Sequence, residues 1–226
     1  IINSPQSGST KILGVHLEGP FLNPEKAGIH PIKLLIKPNV QDFKKLKHKD
    51  IIKIVTLAPE LDENYSLCKY LKANNIISSA GHSVASAVEI LNSNVKQITH
   101  LFNAMAYIHH RKFTIANEAL FNDNLFIEII SDLKHVHPKM LNLVRKLKPK
   151  HNIIFITDAL PCAYSKNNIF YMNNVKINIS NGLALSEDGT IAGNNKFSCD
   201  NIKKILNETD FTFEEIIACL STNCAK

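Results

Sequence analysis

The chain reads as an α/β barrel, and three observations carry that reading. Short β-branched runs alternate with longer amphipathic ones about every 20 to 30 residues, the pattern of parallel strands joined by right-handed crossovers. Successive apolar runs end on chemically active side chains: Glu18, His82, His100, His135 and Asp158. A turn-rich stretch, residues 169–193, breaks the alternation and reads as a β-hairpin meander inserted in an otherwise parallel chain.

Residues 11–17 predict the first strand, which Gly19-Pro20 stops directly after Glu18. Residues 41–49 predict a short charged helix, and residues 51–57 a buried strand ended by Ala58-Pro59-Glu60. From 62 to 74, Tyr65, Leu67, Cys68 and Leu71 recur at helical spacing, and Asn74-Asn75 ends the run. Residues 76–80 read as a strand, 83–91 as a helix and 97–99 as a strand, with no regular element assigned from there to Leu125. Residues 125–130 predict a strand, and 138–147 a helix opened by proline at a tolerated first-turn position. A strand over 152–157 delivers Asp158. Asn173-Asn174, Asn181-Gly182 and Asp188-Gly189 are the turns of the meander, and helices over 201–206 and 213–221 follow it.

Composition bounds the function. At 226 residues, 45% hydrophobic and 20% charged, the chain suits one globular domain, here 1–226 with the meander inside it. No run of about 18 apolar residues argues for a membrane span. Ile1 to Ser9 lacks the charged and apolar regions of a secretory leader. The net charge of +6 is spread over runs such as Lys44-Lys45 and Lys203-Lys204, which read as solvated helix faces and not as a nucleic-acid groove. Five scattered cysteines with no Cys-x-x-Cys argue against a disulfide framework or thiolate zinc site and suit the cytoplasm.

In a barrel the five strand-end side chains share one rim, where such folds place their chemistry. One carboxylate and two neutral imidazoles are a recurring ligand set for a catalytic divalent metal, and a further carboxylate can take the proton from an attacking water. With ten histidines available, spacing alone leaves the ligand set open.

The segments His16-Leu17-Glu18-Gly19-Pro20-Phe21, Val55-Thr56-Leu57-Ala58-Pro59-Glu60 and Ser79-Ala80-Gly81-His82-Ser83 narrow it. So do Thr99-His100-Leu101-Phe102-Asn103-Ala104-Met105 and Thr157-Asp158-Ala159. Together they resemble the N-acetylglucosamine-6-phosphate deacetylase family of the amidohydrolase superfamily, from the first residues to Ser221-Thr222-Asn223. The resemblance implies Glu18, His82 and His100 as ligands of a divalent metal ion, zinc or iron, and Asp158 as the catalytic aspartate. It implies that His30 polarises the substrate amide carbonyl. Ile29, the backbone at Asn103 and Ala104, Arg111, His135 and the loop Ile191-Ala192-Gly193 match positions that hold N-acetylglucosamine 6-phosphate. The counterpart of Arg111 reaches into the neighbouring subunit, which implies a homodimer. Glu60 belongs to a family motif but reads as a cap or surface carboxylate.

Two departures accompany the match. Leu133 and Lys134 stand between Asp132 and His135 where the family carries glycine, and Leu160-Pro161-Cys162-Ala163-Tyr164 is bulkier than the family's small residues. Family members also carry an N-terminal portion with the first barrel strand and half of a small β-sandwich, and a C-terminal portion that completes the sandwich. The resemblance therefore implies an incomplete TIM-like (β/α)8 barrel without its accessory β-sandwich. The alternatives to a deacetylase are an inactive truncated remnant, or another amidohydrolase acting on a related N-acyl or cyclic amide.

Overall fold

The computed structural model describes residues 12–163, 165, 167–172 and 175–225. The start of the first expected strand at Lys11, and the Asn173-Asn174 turn, lie outside the described residues.

Six strands form one curled, wholly parallel half-barrel sheet: β1 (Val15–Glu18), β2 (Ile52–Leu57), β3 (Ile77–Ala80), β4 (Gln97–Ile98), β5 (Phe126–Ile130) and β6 (Ile153–Ile156). Their order in the sheet is their order in the chain, the arrangement of a barrel, whereas a doubly wound sheet reverses direction part-way. The connections carry α1 (Val40–Lys45), α2 (Ser66–Ala73), α3 (Ala87–Ser93), α4 (Ile115–Phe121) and α5 (Pro138–Leu147).

Strand periodicity divides the two faces. Val55, Leu57, Ala80, Ile98, Ile127, Ile129, Ile153 and Phe155 enter one buried core with Leu67, Leu71, Ile90, Ala119, Leu141 and Val144 of the helices. Alternate residues Ile54, Ile77, Phe126, Ile154 and Ile156 line a hollow of about 470 Å³ on the sheet's inner side. Nearer the strand ends that side turns polar. A chain of 2.7 Å hydrogen bonds links His16 Nε2 to Thr56 Oγ1, Thr56 to Thr99, and Thr99 to Ser79. It crosses from the first strand to the end of the fourth and satisfies hydroxyls that are otherwise buried.

After β6 come four antiparallel strands, β7 (Ile169–Met172), β8 (Val175–Ser180), β9 (Leu183–Ser186) and β10 (Ile191–Asn194), then α6 (Ile202–Glu208) and α7 (Phe213–Leu220). Ile177, Ala184 and Ala192 form a second small core, against which Ile29, Leu160 and Met172 pack. The meander therefore leans on the segments carrying His30 and Asp158. A backbone pair fixes it there: Asn194 N–H donates to the Asp158 carbonyl at 3.0 Å, and Leu160 N–H to the Asn194 carbonyl at 2.9 Å.

Most expected elements are present with shifted ends, and two differ in kind. The helix expected from Ser83 starts only at Ala87, because Ser83 and Val84 give their donors to Glu60 and Ser86 makes a capping box with Glu89. The unassigned stretch before Leu125 holds α4, whose Thr114 cap pairs with Asn117, not the Glu or Gln that marks such a start in sequence.

Lys148 follows α5 with only 2% of its surface exposed. Its ammonium donates to the carbonyls of Asn122 (2.6 Å) and Leu125 (2.9 Å), tying α5 to the α4–β5 turn. Burial lowers its pKa to about 8, against the opposing pull of Asp123 and Glu118. An unfolded lysine titrates near ~10.4, so between these values the unfolded chain holds the extra proton and rising pH favours the folded state. Urea melts should show the wild type gaining stability relative to Lys148→Met as pH rises from about 7.5 to 10. Parallel pH profiles would show that the buried ammonium is not the source.

Candidate metal centre and cavity

Three donor atoms converge at the strand ends. Glu18 Oε1 lies 3.0 Å from His82 Nε2 and 2.9 Å from His100 Nε2, and the two imidazole nitrogens are 3.0 Å apart. His82 Nδ1 is 2.6 Å from the Lys26 carbonyl, which can only accept, so Nδ1 carries the proton and Nε2 presents a lone pair. That lone pair faces a carboxylate oxygen, and two acceptors this close repel unless a proton or a cation lies between them. Four-coordinate zinc with bonds of about 2.0–2.2 Å spaces its ligands roughly 3.3 Å apart, so this triangle needs only a few tenths of an ångström of expansion. The donor set and its spacing fit a divalent metal ion.

Glu18, His30 and His82 also form a group within 4.8 Å. The triangle with His100 is tighter and is the better cradle. His30 meets the His82 ring edge-on, centroids 5.0 Å apart, one layer further out. Gly28 makes room for this packing: at φ +57° it adopts a left-handed conformation, and a Cβ there would lie 3.3 Å from His82 Cε1.

The backbone beneath these side chains is strained in a repeated way. His82 (φ 47°), His100 (φ 32°) and Asp158 (φ 50°) all occupy the left-handed region, which costs non-glycine residues about 1–3 kcal/mol each. Each strained carbonyl accepts an asparagine backbone N–H: Asn23 to His82 (2.9 Å), Asn103 to His100 (2.9 Å) and Asn194 to Asp158 (3.0 Å).

A cavity of about 520 Å³ opens over the triangle. Of the expected substrate residues, Ile29, His30, Asn103, Ala104, His135, Ile191 and Ala192 line it, as do Glu18, His82, His100 and Asp158. The Asn103 N–H is taken by His100, so of the two neighbouring amides Ala104 offers the available donor. Gly193 stands behind the lining, against the Asp158 carbonyl. Arg111 lies outside the lining, exposed on the loop before α4. On that loop the rings of His109 and His110 stack, and His109 Nδ1 accepts the Arg111 N–H at 3.0 Å.

The chain resembles solved and curated proteins over nearly its whole length. It is 33% identical over 221 residues to N-acetylglucosamine-6-phosphate deacetylase of Bacillus subtilis, covering 96% of this chain and 56% of that protein. The human N-acetylglucosamine-6-phosphate deacetylase is 38% identical over 163 residues, covering 66% of this chain and 39% of that one. The crystal structure of the Thermotoga maritima N-acetylglucosamine-6-phosphate deacetylase superposes with a TM-score of 0.86 at 31% identity, over 94% of this chain and 59% of that one. Over this span the chain is similar to N-acetylglucosamine-6-phosphate deacetylases. It spans a little over half the length of the bacterial relatives. No family model matches it.

Electrostatics separate the residues of this site. Burial opposes ionisation of Glu18, but its close contacts with the His100 and His82 rings outweigh it and hold the carboxyl well below its usual range. Burial would lower His100, and its hydrogen bond and attraction to Glu18 outweigh that and raise it. Burial pushes Asp158 up; His100 opposes the shift and the Glu18 charge adds to it. Burial and then the His82 charge push His30 down. Asp132 accepts His135 Nδ1–H at 2.8 Å, which leaves Nε2 as that ring's remaining polar atom.

The first departure from the family pattern acquires a physical form here. Leu133 sits at φ +62°, the conformation glycine would adopt freely, but its side chain packs on the main core and is absent from the cavity lining. Its bulk therefore costs backbone strain without invading the pocket. Leu160, from the second departure, does line the cavity. Sequence reasoning also missed Lys26, Met172 and Thr190 in the lining; the position of Lys26, four residues before His30, was the one available signal.

Gly193 provides a test of the packing behind Asp158. Its φ is +144°, and a Cβ there would fall 2.6 Å from the Asp158 carbonyl oxygen, a backbone atom that is itself hydrogen-bonded. Gly193→Ala should cost roughly 2 kcal/mol or more in denaturant melts. A change within about 0.5 kcal/mol, the range of an ordinary surface substitution, would refute this packing account.

Proposed function

We propose that this chain hydrolyses the acetamide of N-acetylglucosamine 6-phosphate to acetate and glucosamine 6-phosphate. The observation that carries the reading is the 2.9–3.0 Å triangle of Glu18, His82 and His100, opening on a cavity that also holds Asp158 and His30. In this reading those three residues hold one divalent ion; a carboxylate with two imidazoles suits zinc, and iron accepts the same donors. Such an ion, when bound, supplies Lewis acidity, lowering the pKa of a water towards about 7 and drawing charge from the amide carbonyl.

The chain's own residues do the rest. Asp158 takes a proton from the attacking water, and its raised pKa suits it to hold that proton until the C–N bond breaks. It then gives the proton to the departing amine nitrogen. His30, kept neutral by burial, donates a ring N–H to the carbonyl oxygen as negative charge develops there. His135, oriented by Asp132, and the Ala104 N–H face the sugar phosphate, with Ile191, Ala192 and Ile29 as the wall behind the ring. Arg111 is exposed away from its own cavity, so we assign it to the phosphate of a neighbouring copy in a homodimer. Its planar fork suits two charge-assisted bonds to a phosphate dianion. All five cysteines are free thiols, in keeping with a reducing, cytoplasmic setting.

Asp158→Asn should bind metal as the wild type does, measured by metal content after dialysis, and lose turnover by at least about a hundredfold in acetate release. Near-normal acetate release from that variant would remove Asp158 from the mechanism.

A further inference from the structure

Glu60 has no place in the cavity lining, yet it joins the loops that deliver the three convergent donors. It follows β2, which lies between β1 and β3 in the sheet. Its Oε1 accepts the Asn23 side-chain amide at 2.9 Å and the Val84 backbone N–H at 2.7 Å, and its Oε2 accepts the Ser83 hydroxyl at 2.6 Å. Asn23 belongs to the loop that follows Glu18, and its own N–H donates to the strained His82 carbonyl. Ser83 and Val84 come directly after His82. Ser83 also joins the His100 loop through its backbone, donating to Ala104 (3.2 Å) and accepting from Ala106 (3.1 Å). One carboxylate thus ties the rim segments after β1, β2 and β3, with the fourth attached through Ser83.

We infer that Glu60 is a positioning residue for the metal centre, setting the separation of Glu18 from His82 and, through Ser83, of His82 from His100. The chemistry requires a carboxylate. All three partners are donors, and an ionised carboxyl is acceptor on both oxygens. A helix-cap role is excluded, because α3 begins at Ala87 and is capped by Ser86 and Glu89. A simple surface role is excluded as well, since Asn23 and Ser83 are 5% and 0% exposed and would be left as buried unpaired donors.

The inference rests on reading Glu18, His82 and His100 as metal ligands, and the test separates the two. Metal-free wild type, Glu60→Ala, Glu60→Gln and Asp62→Asn are titrated with Co²⁺, following affinity and the visible absorption band at a temperature where circular dichroism shows each variant folded. Asp62 is the control: it belongs to the same segment and accepts the Leu67 and Cys68 N–H groups at 3.0 and 2.9 Å, a structural task away from the ligand loops. Glu60→Ala should weaken Co²⁺ binding about tenfold or more and shift the band, as loss of an outer-shell partner does. Glu60→Gln, which keeps one acceptor oxygen, should fall between, and Asp62→Asn should match the wild type. Wild-type affinity and spectrum in Glu60→Ala, or equal weakening in Asp62→Asn, would overturn the inference. Should Glu60→Ala fail to fold, Glu60→Gln decides, and wild-type binding by it overturns the inference. Absence of Co²⁺ binding by the wild type would overturn the ligand reading itself.

Discussion

The constraint on which the molecule turns is the approach of three electron-rich atoms to within 3.0 Å of one another. Such a cluster is unfavourable without positive charge at its centre, so the fold must force it. It does so with backbone: His82 and His100 leave their strands in left-handed conformations, each held by an asparagine amide from a loop of the rim. Asp158 repeats the device on the far side of the cavity, so its carboxyl stands on the same kind of strained elbow as the two imidazoles. The strain is affordable because a large, uninterrupted core lies beneath the sheet's outer face.

Beneath the triangle, polar order replaces packing. The His16–Thr56–Thr99–Ser79 chain pairs each of its hydroxyls with a neighbour, so that none of them competes for the three convergent atoms. His16 shares a strand with Glu18 and points to the same side, yet its Nε2 is taken by Thr56, and burial lowers its pKa. Two residues of one motif therefore divide between structure and site by a single hydrogen bond.

The strand–helix alternation was legible because runs such as Ile51 to Leu57 and Phe126 to Ile130 are short and rich in β-branched residues, which favours strand over helix. The convergence of Glu18, His82 and His100 was half legible. Position at strand ends places them on one rim, but only the resemblance chose them from ten histidines. What escaped depends on packing between loops. Glu60 looked like an ordinary carboxylate after Ala58-Pro59 because its partners lie 23, 24 and 37 residues away, and no local pattern encodes such contacts. The effect of Leu133 was not legible, because sequence shows the missing glycine but not the direction of the side chain that replaces it. The helix α4 was lost to an asparagine doing the work of a glutamate in its cap.

The antiparallel sheet completes the argument about division of labour. The half-barrel alone offers a polar rim, with Glu18, His82, His100 and Asp158 open to solvent on one side. Strands β7 to β10 bring Met172, Thr190, Ile191 and Ala192 against that rim, and Ile29 and Leu160 join their small core. Asn194 is the joint: its backbone holds Asp158 on the strained elbow, and its side chain reaches Asp132 at 3.3 Å, the carboxylate that orients His135. The same residue therefore couples the wall of the cavity to Asp158 and, through Asp132, to the His135 imidazole. Any displacement of the meander must be felt at both, which makes the shape of the cavity and the placing of Asp158 and His135 properties of one packed interface instead of two independent features.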